Sequence, residues 1–306
     1  MLRFLAWRLG RAALTVLLVL VACFVAIRAT GSPLSVLYPE DATPEQAVLL
    51  AQQWGLDRSL PEQFGVYIAN LARGDFGVSI IERRPVTRIY AEKLRPTLQL
   101  AALALVIGIV VGIPLGVVAA LRRGKVAARA AMAVAFTGYA VPHFIIAILL
   151  ILLFSYHLNW LPSTGAATPQ HYILPAVTLA LPLIAAIARY MRSTMLDVMN
   201  QDYVRTARAK GVAEPRVVTL HVMRNALLPL ITVLGLEVAG LINGSLIVET
   251  VFSWPGLGKV LTGSVSRRDF PVLQFGVIAY AMAVVAINFL VDALYAVADP
   301  RVRVES

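Results

Sequence analysis

One carboxylate, Glu237, lies inside an apolar run from Ala226 to Val248, and Asn243 follows nearly two turns on. An ionised group at membrane depth is costly unless it is paired or faces water. Glu237 therefore reads as a pathway residue that meets a cationic group on a solute, or as a protonated or hydrogen-bonded packing group. Asn243 can line the same path or join helices. His143 follows Pro142, where a bend would expose it, although a lone histidine there is more often structural. Asp292, near the end of the last apolar run, reads as a cap or ion-pair partner. Cys23 is the single cysteine, so no intrachain disulfide exists. Gly258-Lys259 has Ser253 where a phosphate loop needs its first glycine, and Val260 follows. His-Glu-x-x-His, Cys-x-x-Cys and Gly-x-Ser-x-Gly patterns are also missing from the sequence. Chemistry on this chain is not expected, and intramembrane polar groups of this kind suit transport.

The elements that position these residues follow from composition. The chain has 306 residues, 59% of them hydrophobic and 14% charged. Soluble chains run at roughly 45–50% and 25%. Mean hydropathy is +0.77. A soluble fold this apolar could not cover its own surface with polar groups, so most of the chain faces lipid. A helix needs about 20 apolar residues to cross the hydrocarbon. Six stretches qualify: Ala12–Ala29, Thr97–Leu121, Ala130–Tyr156, Ile173–Met195, Ala226–Val248 and Val272–Val297. None alternates with the period of a barrel strand. Pro114, Pro142 and Pro182 fall inside spans, where neighbouring helices can satisfy the freed carbonyls. The fold class is all-α, a polytopic membrane protein.

The net charge of +10 leaves a membrane or a nucleic acid as partner. With the N-terminus inside, segments 1–11, 122–129, 189–225 and 298–306 are cytoplasmic. They hold 16 Lys/Arg against five acids, and the outer segments hold 11 against 10. This asymmetry is what the positive-inside rule expects. The basic residues are spread over separate loops without interleaved aromatics, so no nucleic-acid platform is expected. Arg3, Arg8 and Arg11 precede a long apolar run with no clean cleavage site, which favours an uncleaved anchor over a secretory leader.

Domain organisation follows. Residues 1–29 form the cytoplasmic N-terminus and first span, and 30–95 a small helical extracytoplasmic segment. Residues 96–297 form a five-helix core with a cytoplasmic loop over 197–225, and 298–306 a cytoplasmic tail. In the outer segment, Thr43-Pro44-Glu45-Gln46 and Ser59-Leu60-Pro61-Glu62 read as helix starts, with stops at Gly55 and Gly74. Gly74-Asp75-Phe76-Gly77 reads as a turn. So small a segment is expected to pack on the outer ends of the spans. In the inner loop, Tyr203, Val204 and Ala207 can share one helical face flanked by Arg205 and Arg208, with a stop at Gly211. Val217, Val218 and Leu220 add apolar surface. Such a helix lies on the membrane or docks in a partner's groove. Val248 to Lys259 is apolar but broken by Pro255, Gly256 and Gly258, which suits an interfacial or re-entrant piece. Trp160 and Trp254 read as interface anchors. Gly108, Gly112 and Gly116, and again Gly240 and Gly244, recur every four residues, a signal of close helix packing in a bundle or against a second subunit.

Asp202-Tyr203-Val204-Arg205-Thr206-Ala207-Arg208-Ala209-Lys210-Gly211, followed by Asn225-Ala226-Leu227-Leu228-Pro229, resembles the coupling motif of binding-protein-dependent ABC importers. The pattern is similar to permeases of the dipeptide, oligopeptide and nickel group. Arg73-Gly74-Asp75-Phe76-Gly77, Trp160-Leu161-Pro162, Glu249-Thr250, Trp254-Pro255-Gly256-Leu257-Gly258, Arg268-Asp269-Phe270-Pro271 and Asp299-Pro300-Arg301-Val302-Arg303 match as well. They run in order along nearly the whole chain. Where the general motif begins Glu-Ala-Ala, this chain has Arg205-Thr206-Ala207, and its Gly211-to-Pro229 interval is longer. Both features look typical of the peptide/nickel group.

The resemblance implies six transmembrane helices of the type I importer permease kind. It implies a second homologous permease, forming a heterodimer, two cytoplasmic ABC ATPases and an extracytoplasmic solute-binding protein. ATP and Mg would be held by the ATPases, and no cofactor by this chain. Tyr203, Arg205, Thr206, Ala207, Arg208, Lys210 and Gly211 would seat in an ATPase groove, which resolves the docking alternative. Glu237, Asn243, Pro142 and His143 become candidates for the path. Glu249, Trp254, Pro255 and Gly256 become candidates for binding-protein contact or an outer gate. The implied solute is a di- or oligopeptide, with nickel or a metal chelate as the alternative. An ion-coupled secondary transporter is the reading of another class, but the internal halves it needs are not visible.

Overall fold

The computed structural model describes residues 2–29 and 57–298. The first outer helix expected at Thr43–Gln46, its stop at Gly55 and the tail beyond Ala298 lie outside these. The described residues are helical apart from turns and one isolated antiparallel bridge, Val78 to Pro85. In chain order the helices are α1 (Leu2–Ala29), α2 (Leu60–Ala72), α3 (Val86–Leu121), α4 (Val126–Ala140), α5 (His143–Leu150), α6 (Ile173–Met199), α7 (Asp202–Ala209), α8 (Arg224–Val251), α9 (Leu257–Ser266) and α10 (Phe270–Ala298). A π-helical turn, Ile151–His157, extends α5, and another, Val217–Met223, leads into α8.

Five described helices are long and apolar enough to cross a membrane: α1, α3, α8, α10, and α6 with the 3₁₀ turn before it. The third expected span is interrupted. Pro142 has φ −57° and ψ 141°, and its carbonyl accepts from the amides of Ile145 and Ile146 to start a new helix. The residue before a proline is pushed out of the α region, so α4 stops at Ala140. The crossing expected over Ala130–Tyr156 is therefore carried by two pieces, α4 and α5 with its π turn. Pro114 and Pro182 remain inside α3 and α6.

The chain divides into two compact units. One takes Met1–Arg95 and Lys259–Val285, and the other Pro96–Gly258 and Ala286–Ser306.

In the first unit, the Ser59 amide donates to Glu62 Oε2 at 3.1 Å and starts α2. Gly74, at φ +80°, carries the chain out of it. Phe24 of α1 packs edge-to-face on Phe64 of α2 at 5.2 Å, with Tyr67 beside both. Helix α2 thus rests on the end of α1. Two of the sequence motifs meet here. Asp269 accepts from the Ser79 hydroxyl and from the Ile80 amide. Phe76 and Tyr90 both pack on Phe275, and the Tyr90 hydroxyl donates to the Val272 carbonyl.

In the second unit, α6 is the central pillar, with 61% of its apolar stretch buried against 22% for α3 and 24% for α8. The Gly108, Gly112 and Gly116 stripe of α3 lies against Leu183, Ile187 and Ala188 of α6. A Cβ at Gly108 would sit 2.5 Å from Leu183, and one at Gly116 2.7 Å from the Ala188 carbonyl. The stripe packs within the chain. Gly244 packs likewise on His143 and Leu179, but Gly240 has open space around it.

Candidate coupling face and transport residues

Helix α7 is short, so isolated it would be unstable, and tertiary packing must hold it. Val204 and Ala207, three residues apart, are buried and anchor it. Tyr203 does not join them. The residue is 45% exposed, on the side that also presents Thr206 and, just beyond the helix, Lys210. Arg205 points outward and lies 3.4 Å from Asp202. Gly211 takes φ +76°, a left-handed turn that a side chain resists. Across this turn the Arg208 guanidinium grips Glu214 with two bonds, Nε to Oε2 at 3.0 Å and Nη2 to Oε1 at 2.7 Å. That hydrogen bonding holds the Glu214 carboxyl below its ordinary pKa and raises that of Arg208. Glu214 sits at the start of the segment that leads into the π turn, where Val217, Val218 and Val222 are buried and Leu220 is exposed. The loop is a bracket closed by this ion pair, with an outward polar and aromatic face.

At the other end of α8 the chain turns back on itself. Ser253 takes φ +50°, and Trp254 is fully buried, its ring edge-on to Tyr172 at 4.5 Å and its Nε1 donating to the Pro96 carbonyl at 3.2 Å. The interface-anchor expectation fails for Trp254, because its indole is satisfied inside the chain. Trp160, by contrast, is 66% exposed. Glu249 is also fully buried. Its Oε1 accepts from the Thr97 hydroxyl at 2.6 Å and its Oε2 from the Gly258 amide at 2.6 Å. Thr97 in turn accepts from the Leu257 amide at 2.8 Å. The carboxylate thus caps the start of α9, where free amides and the helix dipole favour negative charge. Gly256 is buried directly against the Glu249 carboxyl group. Pro255 is half-buried.

The path candidates separate. Glu237 and Asn243 are six residues apart on α8, so their directions differ by roughly 120° around the axis. Glu237 is half-buried, and Arg189 of α6 is the cation that acts on it. The Arg189 guanidinium also lies 5.2 Å from the Tyr139 and Tyr190 rings. Glu237 shares its row with Leu241 and Gly244, and Gly244 abuts the half-buried His143. Asn243 shares an exposed row with Leu236, Gly240 and Ile247. Pro142 is exposed at the break between α4 and α5.

Residues 112–304 match the family described as "Binding-protein-dependent transport system inner membrane component". This chain belongs to that family. The glutathione transport system permease protein GsiC of Escherichia coli (strain K12) is 42% identical over 273 residues, 89% of both chains. Its namesake in Salmonella typhi is 41% identical over 290 residues, 94% of this chain and 95% of that one. An inward-facing structure of the MetNI methionine ABC transporter superposes with a TM-score of 0.60 at 19% identity, covering 70% of this chain and 98% of that chain. A chain of an amino acid ABC transporter with histidines gives 0.54 at 18%, covering 68% and 94%. The fold is therefore that of a type I importer permease.

The binding-protein-dependent permease is a multi-pass inner-membrane transport subunit and not an enzyme, and its ATPase and binding-protein partners follow from the family. Two charged partners in the permease escaped sequence reading. Glu214 follows Gly211 with no periodic signal, and Arg189 comes within electrostatic reach of Glu237 only because two helices pack. The neutral hydroxyl of Thr97, 152 residues from the carboxyl group it serves, escaped it as well.

Proposed function

We propose that this permease moves short peptides, di- or oligopeptides including glutathione-like tripeptides, with a second, non-identical permease. The observation that carries this is the 42% identity to glutathione permeases across 89% of both chains. The termini lie in the cytoplasm, in keeping with the distribution of Lys and Arg. The exposed face of α7, with Tyr203, Arg205, Thr206 and Lys210, seats in a groove of an ATPase that holds ATP and Mg, and Val204, Ala207, Arg208 and Gly211 keep that face rigid. Closure of the ATPases then moves α6 and α8 through the bracket. Glu237 tunes the path through Arg189, which remains available to a peptide carboxylate, while His143 shapes the wall against Gly244. The exposed row of Asn243 lines the path or meets the second permease. Glu249, Trp254 and Gly256 act as an internal brace of the outer turn, and contact with a binding protein there falls to Pro255 and its exposed neighbours.

The test is uptake by the reconstituted complex with its cognate binding protein, across labelled dipeptides, glutathione and nickel chelates. ATP-dependent peptide uptake supports the assignment. Uptake of nickel chelates with none of peptides overturns it.

A further inference from the structure

Three arginines from separate elements converge on one cavity of about 340 Å³. Arg123 comes from the turn after α3, Arg129 from the first turn of α4 and Arg192 from α6. None of them forms an ion pair with a carboxylate among the described residues. Three unneutralised guanidiniums around one cavity repel each other, and a bound anion removes that repulsion. The rest of the lining is Ala119, Ala128, Met132 and Ala133, with Gly124 at the turn. The occupant therefore has an anionic head and tolerates apolar walls. The cavity starts at the polar end of α3, immediately after its apolar stretch closes at Leu121. A span that closes at Leu121 brings the cavity to the level of the lipid headgroups.

We infer that this cavity is a binding site for a phosphate-bearing anion, supplied by the headgroup of an anionic phospholipid. Arginine's planar fork matches phosphate oxygens, and basic pockets between membrane helices suit such headgroups. A partner's carboxylate needs no apolar walls, which disfavours a protein occupant. The inference rests on the multi-pass membrane reading and is independent of the transported solute.

The experiment uses the whole transporter purified in neutral detergent. Bound lipid is counted by native mass spectrometry after exposure to phosphatidylglycerol, phosphatidylcholine or inorganic phosphate. The wild type should retain phosphatidylglycerol over phosphatidylcholine. R129Q/R192Q should lower that retention by about five-fold per arginine, roughly 25-fold in all. R129K/R192K, which keeps the charge, should fall between. Stabilisation by inorganic phosphate as strong as by phosphatidylglycerol would assign the same site to a soluble phosphate. Equal retention of both lipids by the wild type overturns the proposal. So does loss of the ATPases from R129Q/R192Q with lipid retention unchanged, which would make the cavity a protein-docking surface. Co-purification of the ATPases with the wild type keeps the permease reading standing whichever way the lipid result falls.

Discussion

The hydroxyl of Thr97 donates to the carboxylate of Glu249 at 2.6 Å, joining residues 152 positions apart at the core of one unit. Both are buried, and the same hydroxyl accepts from the Leu257 amide. Thr97→Val removes a donor from a buried carboxyl group and an acceptor from a backbone amide. A loss of about 1–3 kcal/mol is expected from each group left unsatisfied. Thermal denaturation of the purified chain checks this, and an unchanged midpoint would remove the brace from the argument.

Gly256 and Gly240 should respond oppositely to alanine. Gly256 lies against the Glu249 carboxyl with no room for a Cβ, so Gly256→Ala must displace the brace. Gly240 has open space, and alanine there should leave the isolated chain as stable or up to about 1 kcal/mol more so. If the second permease covers that row, Gly240→Ala still lowers recovery of the paired complex. Equal recovery would leave the row to the path.

Gly211→Val should leave the chain in the membrane while abolishing solute-stimulated ATPase activity. At φ +76° a side chain costs roughly 1–2 kcal/mol, yet among the described residues nothing lies within 4 Å of a Cβ placed there. The lesion is therefore in the shape of the bracket. Retained coupling would sink its assigned role.

The Arg208–Glu214 pair carries a pH dependence. The folded pKa of Glu214 is lowered, so its stabilisation is fully present above the unfolded carboxylate range, about 4.3. It is lost as pH falls through the lower folded value. The pair is exposed, so the effect is small, on the order of 0.2–1 kcal/mol. Glu214→Gln should flatten this acid limb in proteolysis of the 197–225 loop. An identical acid profile in the variant would assign the limb to other carboxylates.

Glu237→Gln should reduce uptake more than assembly. Because Arg189 is its cationic neighbour, R189Q/E237Q should recover part of what either single change loses. Strict additivity of the losses would mean the two groups act separately, and equal loss of assembly and uptake would mark Glu237 as packing.

The sequence by itself determined the class of molecule. Apolar runs of bilayer length and the placement of Lys and Arg mark out the spans, and the Ser59 start, the Gly74 and Gly211 turns and the α7 helix are local signals of capping and left-handed backbone. The glycine stripe announced close packing but not its partner. Only the tertiary structure decided that Leu183 and Ile187 fill it, that Pro142 interrupts a span while Pro114 and Pro182 do not, and that Trp254 is core. It also decided that Glu237 and Asn243 take different faces, and that Glu249 is paired with Thr97. Local signals depend on neighbours within a few residues, whereas a buried side chain's partner depends on which helix packs beside it, and apolar helix surfaces are too alike in sequence to specify that in advance.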